Sequence, residues 1–197
     1  ESASGLITIA GGKLTGYRKM AEDTMKVVER RLQGRVKMNP CRTKGMRISG
    51  GDVGGSAGLE LFASTASQRG TEVGLTREAS LKLARFYGSN VERVYRYGEK
   101  KKEEAQSYGL PLDLFMRVKY AVEEEMAVKP IDFFVRRTGA LFFDIAAVRE
   151  HRAGVIRLMK EMLGWSDDAS ERYAAELEDA LRDAVVPVDL QETVSSG

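Results

Sequence analysis

Cysteine and histidine are nearly missing from this chain. Cys41 and His151 are the only residues of either kind, so no internal disulfide can form and no zinc-type ligand cluster can be assembled. A lone cysteine also fits a reducing compartment. Net charge is scarce too: the formal value of +2 is too small to argue for nucleic acid as a partner. The charges interleave, and Lys100-Lys101-Lys102 runs straight into Glu103-Glu104, the pattern of a solvated face rather than a phosphate track. No apolar stretch approaches the roughly 20 residues needed to span a bilayer. The start has neither the basic region and apolar core of a signal peptide nor an initiator Met. The 197 residues leave room for one domain of ordinary size and part of another. A chain that opens one strand ahead of a helix reads as a fragment whose larger amino-terminal portion is missing. No internal repeat is evident.

What is present begins at once. Leu6 to Ala10 is a short apolar run with two isoleucines, as a buried strand would be. Gly11-Gly12 breaks it and frees the backbone for a tight turn and close approach to a ligand. Beyond the turn, Leu14, Tyr17, Met20, Ala21, Met25, Val28 and Leu32 recur at helical spacing. They predict one buried stripe of an amphipathic helix to about Gln33, with Gly34 as its stop. The first amides of such a helix lack intrahelical partners, and its dipole adds positive charge. An anion or an electron-rich ring edge is favoured there, and Lys13 adds a full charge at the same spot. On spacing alone, an ordinary strand–helix turn with a solvated Lys13 remains the competing reading. A P-loop is excluded, because Ile7 stands where glycine is needed and Leu14 where Ser or Thr is needed. The Gly-x-Gly-x-x-Gly dinucleotide fingerprint is absent from this stretch as well.

Residues 35–73 are glycine-dense with little periodicity and read as a long surface connector. Leu59 to Ser64 could add one helical turn or more. A phosphate cradle at Gly50-Gly51-x-x-Gly54-Gly55 is the sharper alternative, but no clear strand precedes it and no Lys follows. From Gly74 the pattern is helical throughout. Thr76 is placed to cap a helix with Ala79, Leu83, Phe86 and Tyr87 on one face and Gly88 as its stop. A short helix from Asn90 to about Glu99 would bury Val91, Val94 and Tyr95. Pro111 opens the next, whose stripe is Leu114, Phe115, Val118, Ala121, Val122 and Met126, with Glu123-Glu124-Glu125 outward. Pro130 resets the chain, and Phe133, Phe134 and Leu141-Phe142-Phe143 flank Arg136-Arg137-Thr138. Asp144 caps a helix burying Ile145, Val148, Val155, Ile156, Met159, Met162 and Leu163, ended by Gly164. Ser166 caps the last, with the stripe Tyr173, Ala174, Leu177, Leu181 and Ala184. Pro187 and a polar, frayed tail close the chain.

These helices carry little chemistry. Their aromatic and methionine positions fall on stripes, which is core spacing. His151 lies between Glu150 and Arg152 and reads as a partly exposed surface histidine, with no nucleophile or carboxylate constellation around it. Arg136-Arg137 reads as pairing with nearby carboxylates rather than binding an acidic partner.

The run Gly5 to Glu22, Gly-Leu-Ile-Thr-Ile-Ala-Gly-Gly-Lys-Leu-Thr-Gly-Tyr-Arg-Lys-Met-Ala-Glu, resembles the last strand and helix of the flavin domain of FAD-dependent glycerol-3-phosphate dehydrogenases. Many members have a second Thr where this chain has Gly16. The resemblance continues through Gly74-Leu75-Thr76, Tyr87-Gly88-Ser89-Asn90-Val91, Val118 to Met126, Asp132 to Thr138 and Leu163-Gly164-Trp165-Ser166. These pieces are similar to the family's C-terminal helical domain.

The resemblance implies a mainly α fold: a C-terminal helical-bundle domain at 74–197, a glycine-rich connector at 35–73, and at 1–34 the terminal strand and helix of an α/β FAD-binding domain. The parent would move a hydride from C2 of sn-glycerol 3-phosphate to FAD, giving dihydroxyacetone phosphate, with electrons leaving to quinone, or to oxygen in oxidase relatives. Gly12, Lys13, Leu14 and Thr15 would face the flavin, with Lys13 near the ring and substrate oxygens as the catalytic residue. No metal is implied. The nucleotide-binding glycines, the catalytic base and the substrate-phosphate arginines would lie upstream of Glu1, so the fragment alone is expected to be inactive and not to retain FAD. The implied partners are the missing N-terminal region, glycerol 3-phosphate and quinone; peripheral membrane contact and a homodimer are further expectations, and nucleic acid is not. Location would be cytoplasmic, peripheral on the cytoplasmic membrane face. The alternative is a helical protein-interaction or membrane-docking module without activity, with Arg93, Arg96 and Lys100–Lys102 touching anionic lipid.

Overall fold

The computed structural model describes residues 4–32 and 35–186. It divides into two compact units, Glu1–Ile48 and Ser49–Gly197. No strand forms among the described residues.

In the first unit, residues 5–13 carry no regular structure and Leu6 and Ile9 are exposed. The expected strand at Leu6–Ala10 is not formed, because no neighbouring strand is there to complete a ladder. A 3-10 turn, Leu14–Gly16, leads into α1, Tyr17–Leu32. The apolar stripe is present, but no residue of α1 is buried. This corrects the expectation of a buried stripe, and the reason is simple. Among the described residues of the unit, a loop with Met38, Pro40, Met46 and Ile48 faces Tyr17, Ala21 and Met25 across a cleft of about 690 Å³, and the stretch from Ile9 to Leu14 faces the same stripe across an open groove; neither closes on it. The predicted end of the helix at Gln33 and Gly34 lies outside the described residues, as does the tail from Pro187.

The second unit is helical: α2 Gly55–Glu72, α3 Arg77–Tyr87, α4 Val91–Arg96, α5 Lys102–Ser107, α6 Leu112–Glu125, α7 Ala140–Phe143, α8 Ile145–Leu163 and α9 Asp167–Asp183. The predicted caps form. The Ala79 amide donates to Thr76 Oγ1 at 3.1 Å, the Ala147 amide to Asp144 Oδ1 at 3.4 Å and the Ala169 amide to Ser166 Oγ at 3.2 Å. Gly88 and Gly164 end α3 and α8 at φ 52° and 64°. Two apolar clusters share α6. One face of α6 gives Met116 and Tyr120 to a cluster with Ala63, Leu83, Val91 and Tyr95. The other gives Phe115, Val118 and Ala121 to a cluster with Phe133, Val148, Val155, Leu158 and Leu177.

Three stretches differ from expectation. Within the stretch read as a connector, residues 55–72 form one long helix packed on α3, well beyond Leu59 to Ser64. Its Gly, Ala and Ser content looks like a loop, yet small residues let two backbones approach closely, and Ala63, Ala66, Ser67 and Gly70 are buried. Met126 leaves the α6 stripe: it is the C-cap at φ 58° and 81% exposed. Ala184 leaves the α9 stripe in the same way, as an exposed C-cap. Residues Asp132–Arg137 form a π-helical turn that buries Phe133 and Phe134, while Phe142 and Phe143 stay 65% and 89% exposed.

Candidate functional site

Gly11 and Gly12 both sit in the left-handed half of backbone space, at φ +90° and +91°. A side chain at either position would be strained. Lys13 follows in an extended conformation, φ −74° and ψ 149°, and no side chain caps the turn after it. The Gly16 amide donates to the Lys13 carbonyl at 2.8 Å, and the Tyr17 amide to that of Leu14. The amides of Leu14 and Thr15 thus precede the first intrahelical bonds. Leu14 is 90% exposed. Ile9, Gly11 to Leu14, Tyr17, Met20 and Met25 line an open groove of about 530 Å³. Such a turn can stabilise negative charge placed against it, by backbone donors, helix dipole and the Lys13 ammonium together. Gly12, Lys13, Leu14 and Thr15 are therefore accessible on a single turn.

Downstream of this turn α1 carries a ladder of ion pairs. Arg18 bonds Glu22 at 3.0 Å, and Lys19 and Lys26 bond Asp23 at 3.1 and 3.2 Å. The Arg18 hydrogen bond holds the Glu22 carboxyl below its ordinary range, and Lys19 does the same for Asp23. Arg18 Nη1 also donates to Thr43 Oγ1 at 3.3 Å, and Cys41 Sγ lies 3.2 Å from that hydroxyl. The Thr43 hydrogen bond lowers the pKa of the exposed Cys41 thiol.

The remaining candidates resolve as structure. His151 is largely covered, with the Glu150 carboxylate 3.9 Å from Nε2. Arg136 pairs with Asp132 at 2.8 Å, and Arg137 donates to the Glu125 carbonyl at 2.9 Å from Nε. Lys101 pairs with Glu104, and Arg93 with Glu124 at 3.4 Å. The Gly50 loop is not arranged as a phosphate cradle. Its carbonyl accepts from the Ser89 amide at 3.0 Å, and Asn90 Nδ2 donates to Ser49 Oγ at 2.7 Å. Among the described residues, no group of three or more His, Cys, Asp or Glu is arranged to hold a metal, and no helix is long and apolar enough to cross a membrane. One residue of interest at the turn has no signal in spacing beyond the stripe: Met20, whose Sδ lies 2.8 Å from where a Cβ on Gly12 would stand.

Comparison with known proteins adds four findings. The family described as the C-terminal domain of alpha-glycerophosphate oxidase matches residues 41–170. The aerobic glycerol-3-phosphate dehydrogenase of Bacillus subtilis (strain 168) is 47% identical over 190 residues, which are 95% of this chain and 34% of that protein. The protein of the same name from Staphylococcus aureus (strain USA300) is 39% identical over 186 residues, 93% of this chain and 33% of that one. The chain therefore spans about a third of the length of these relatives. The X-ray structure of the glycerol-3-phosphate dehydrogenase from Bacillus halodurans complexed with FAD superposes with a TM-score of 0.84 at 46% identity, covering 94% of this chain and 37% of that one.

Proposed function

The chain belongs to the family of the C-terminal domain of alpha-glycerophosphate oxidase, and from that premise we propose that it serves as the carboxyl-terminal part of an FAD-dependent sn-glycerol-3-phosphate dehydrogenase. The observation that carries this is the identity of 47% running through 95% of the chain to an aerobic glycerol-3-phosphate dehydrogenase. In the whole enzyme, bound FAD supplies the two-electron acceptor for hydride from C2 of glycerol 3-phosphate, giving dihydroxyacetone phosphate, with quinone as the onward acceptor. The turn at Gly11–Gly12 fits such a group: it is uncapped, exposed and bare of side chains on its glycines.

In this reading the backbone amides of Leu14 and Thr15 hold the electron-rich edge of the ring, and Gly12 lets the backbone come close. Lys13 stabilises the negative charge that develops there and on substrate oxygen. The Leu14 and Thr15 amides are set by the backbone before reaction, so they need little reorganisation. The divisions 1–34, 35–73 and 74–197 are proposed as the end of the FAD-binding domain, a connector that carries α2, and the C-terminal domain. Alone, the chain neither retains FAD nor turns over; mixing it with FAD and glycerol 3-phosphate should bleach no flavin. In the full-length enzyme, Lys13→Ala should lower kcat by roughly 10²-fold, the scale of losing one preorganised stabiliser, and shift the flavin potential. An unchanged potential and turnover would refute the site.

A membrane-docking role is the second reading, favoured by the exposed apolar side chains Met126, Val128, Phe142 and Phe143. It would make the enzyme cytoplasmic and peripheral on the cytoplasmic membrane face. Nearby cations are already paired, Arg136 with Asp132 and Lys129 with Glu176, so insertion of apolar side chains outweighs attraction to anionic lipid. Liposome sedimentation should give equal bound fractions with and without anionic lipid. Binding to neither, with a dimer in sedimentation velocity, would favour a homodimer contact for these side chains instead.

A further inference from the structure

Met20 fills the space where a side chain on Gly12 would stand. Its Sδ stands 2.8 Å, and its Cε 3.6 Å, from where a Cβ on Gly12 would be built. Gly12 is thus restricted twice, once by its φ of +91° and once by the thioether beneath it. The contact is selective. A Cβ on Gly11 would meet nothing within 4 Å, and one on Gly16 would stand at an ordinary 4.0 Å from the same sulfur. The thioether therefore bears on the residue directly before Lys13. Met20 stands on α1, where its backbone carbonyl accepts from Thr24 Oγ1 at 2.9 Å. An unbranched, polarisable side chain can lie along bare backbone where a branched one would collide.

We propose that Met20 is a positioning residue for the turn, setting the depth at which Lys13 and the Leu14 and Thr15 amides are presented; this rests on the flavin-facing reading of that turn. Met20 acts through the Gly12 backbone. With the thioether removed, the turn can sink into the vacated space and carry all three groups with it. Preorganised groups lose effect steeply with displacement, and about 1 Å can cost on the order of 10²-fold in rate.

The test uses the full-length flavoenzyme with Met20→Ala, Met20→Gln and Lys13→Ala, reading flavin reduction potential, kcat, KM for glycerol 3-phosphate and thermal melting. Met20→Ala is expected to lower kcat by about tenfold or more and to shift the potential in the same direction as Lys13→Ala, with flavin retained. Met20→Gln, which keeps the straight Cβ–Cγ stem and the same reach although it forks at Cδ, is expected to restore both. If Met20→Ala matches the unsubstituted enzyme while Lys13→Ala shifts the potential, the inference on Met20 is overturned and the site reading stands. If Lys13→Ala also changes nothing, the site reading falls and this inference with it. Should Met20→Ala lose its flavin, Met20→Leu, which keeps apolar bulk but branches at Cγ, is judged by the same criteria.

Discussion

At Gly70 of α2, Ser80 of α3 and Tyr95 of α4 crowd the place of a side chain, and replacing the glycine with alanine separates two opposing effects. A Cβ built on Gly70 would stand 2.5 Å from Ser80 Oγ, 2.7 Å from Ser80 Cβ and 2.9 Å from Tyr95 Cζ. Neither neighbour can step aside freely. Ser80 and Tyr95 are both fully buried; Ser80 Oγ donates to the Thr76 carbonyl at 2.8 Å, and Tyr95 Oη donates to the Ser80 carbonyl at 3.0 Å. Helix propensity alone favours alanine over glycine by about 1 kcal/mol. Overpacking costs about 1–3 kcal/mol, and losing the Tyr95–Ser80 hydrogen bond as the helices part costs about 1 kcal/mol more. The sum favours a loss of about 2 kcal/mol for Gly70→Ala. Urea unfolding of the 197-residue chain, followed by helical circular dichroism, measures it. A Ser80→Gly change removes both of the closest atoms, so the double variant should recover about 1–2 kcal/mol relative to additivity. If Gly70→Ala instead raises stability by about 1 kcal/mol, propensity has won, and the close approach of α2 to α3 does not exist as described.

Other perturbations test the caps and the half-buried charges. Thr76→Ala removes the acceptor for the Ala79 amide and should cost about 1 kcal/mol in the same unfolding assay; an unchanged midpoint would show that the cap contributes nothing. Burial raises the Glu125 carboxyl above its ordinary range, outweighing the opposing pull of Arg137 and Arg117. A raised carboxyl pKa means the folded chain keeps this proton to higher pH than the unfolded chain, so its contribution to stability is greatest in acid and is lost as pH rises through the raised value. Glu125→Gln should therefore be more stable than the parent chain at pH 7, and the gain should vanish below the ordinary pKa of 4.5. A variant less stable at neutral pH would show that attraction to the two arginines governs instead.

The helix ends could be read from the sequence because caps are local. Thr76, Asp144 and Ser166 each bond an amide three residues on, and Gly88 and Gly164 each terminate a helix by their own backbone freedom. The stripes of α3, α6, α8 and α9 could be read for the same reason, since spacing shows which face is apolar, although Phe86 leaves the α3 stripe and is 54% exposed. What spacing omits is the partner. The α2 helix carries few large apolar residues, so composition made it a loop; its packing depends on Ser80 and Tyr95, 10 and 25 positions beyond Gly70. Met126 fits the α6 period but falls at the residue where the chain reverses.

The candidate site was legible in the opposite sense. Gly11, Gly12 and Lys13 announce a turn and a charge, but the contact that supports Gly12 comes from Met20, which the period assigns only to a stripe. That stripe marks the deepest contrast between the two units. In Ser49–Gly197 the apolar faces close on one another and bury Tyr95, Phe115, Phe133 and Leu177 completely. In Glu1–Ile48 the 16 residues of α1 bury none of theirs. An isolated helix of about this length is marginal in water, and most helical stability comes from packing of an apolar face. The rigidity of the Gly11–Gly12 turn, and with it the alignment of Lys13, therefore depends on what covers Tyr17, Met20 and Met25. A surface that buries the stripe orders the turn in the same step, which ties assembly of the site to assembly of the fold around it.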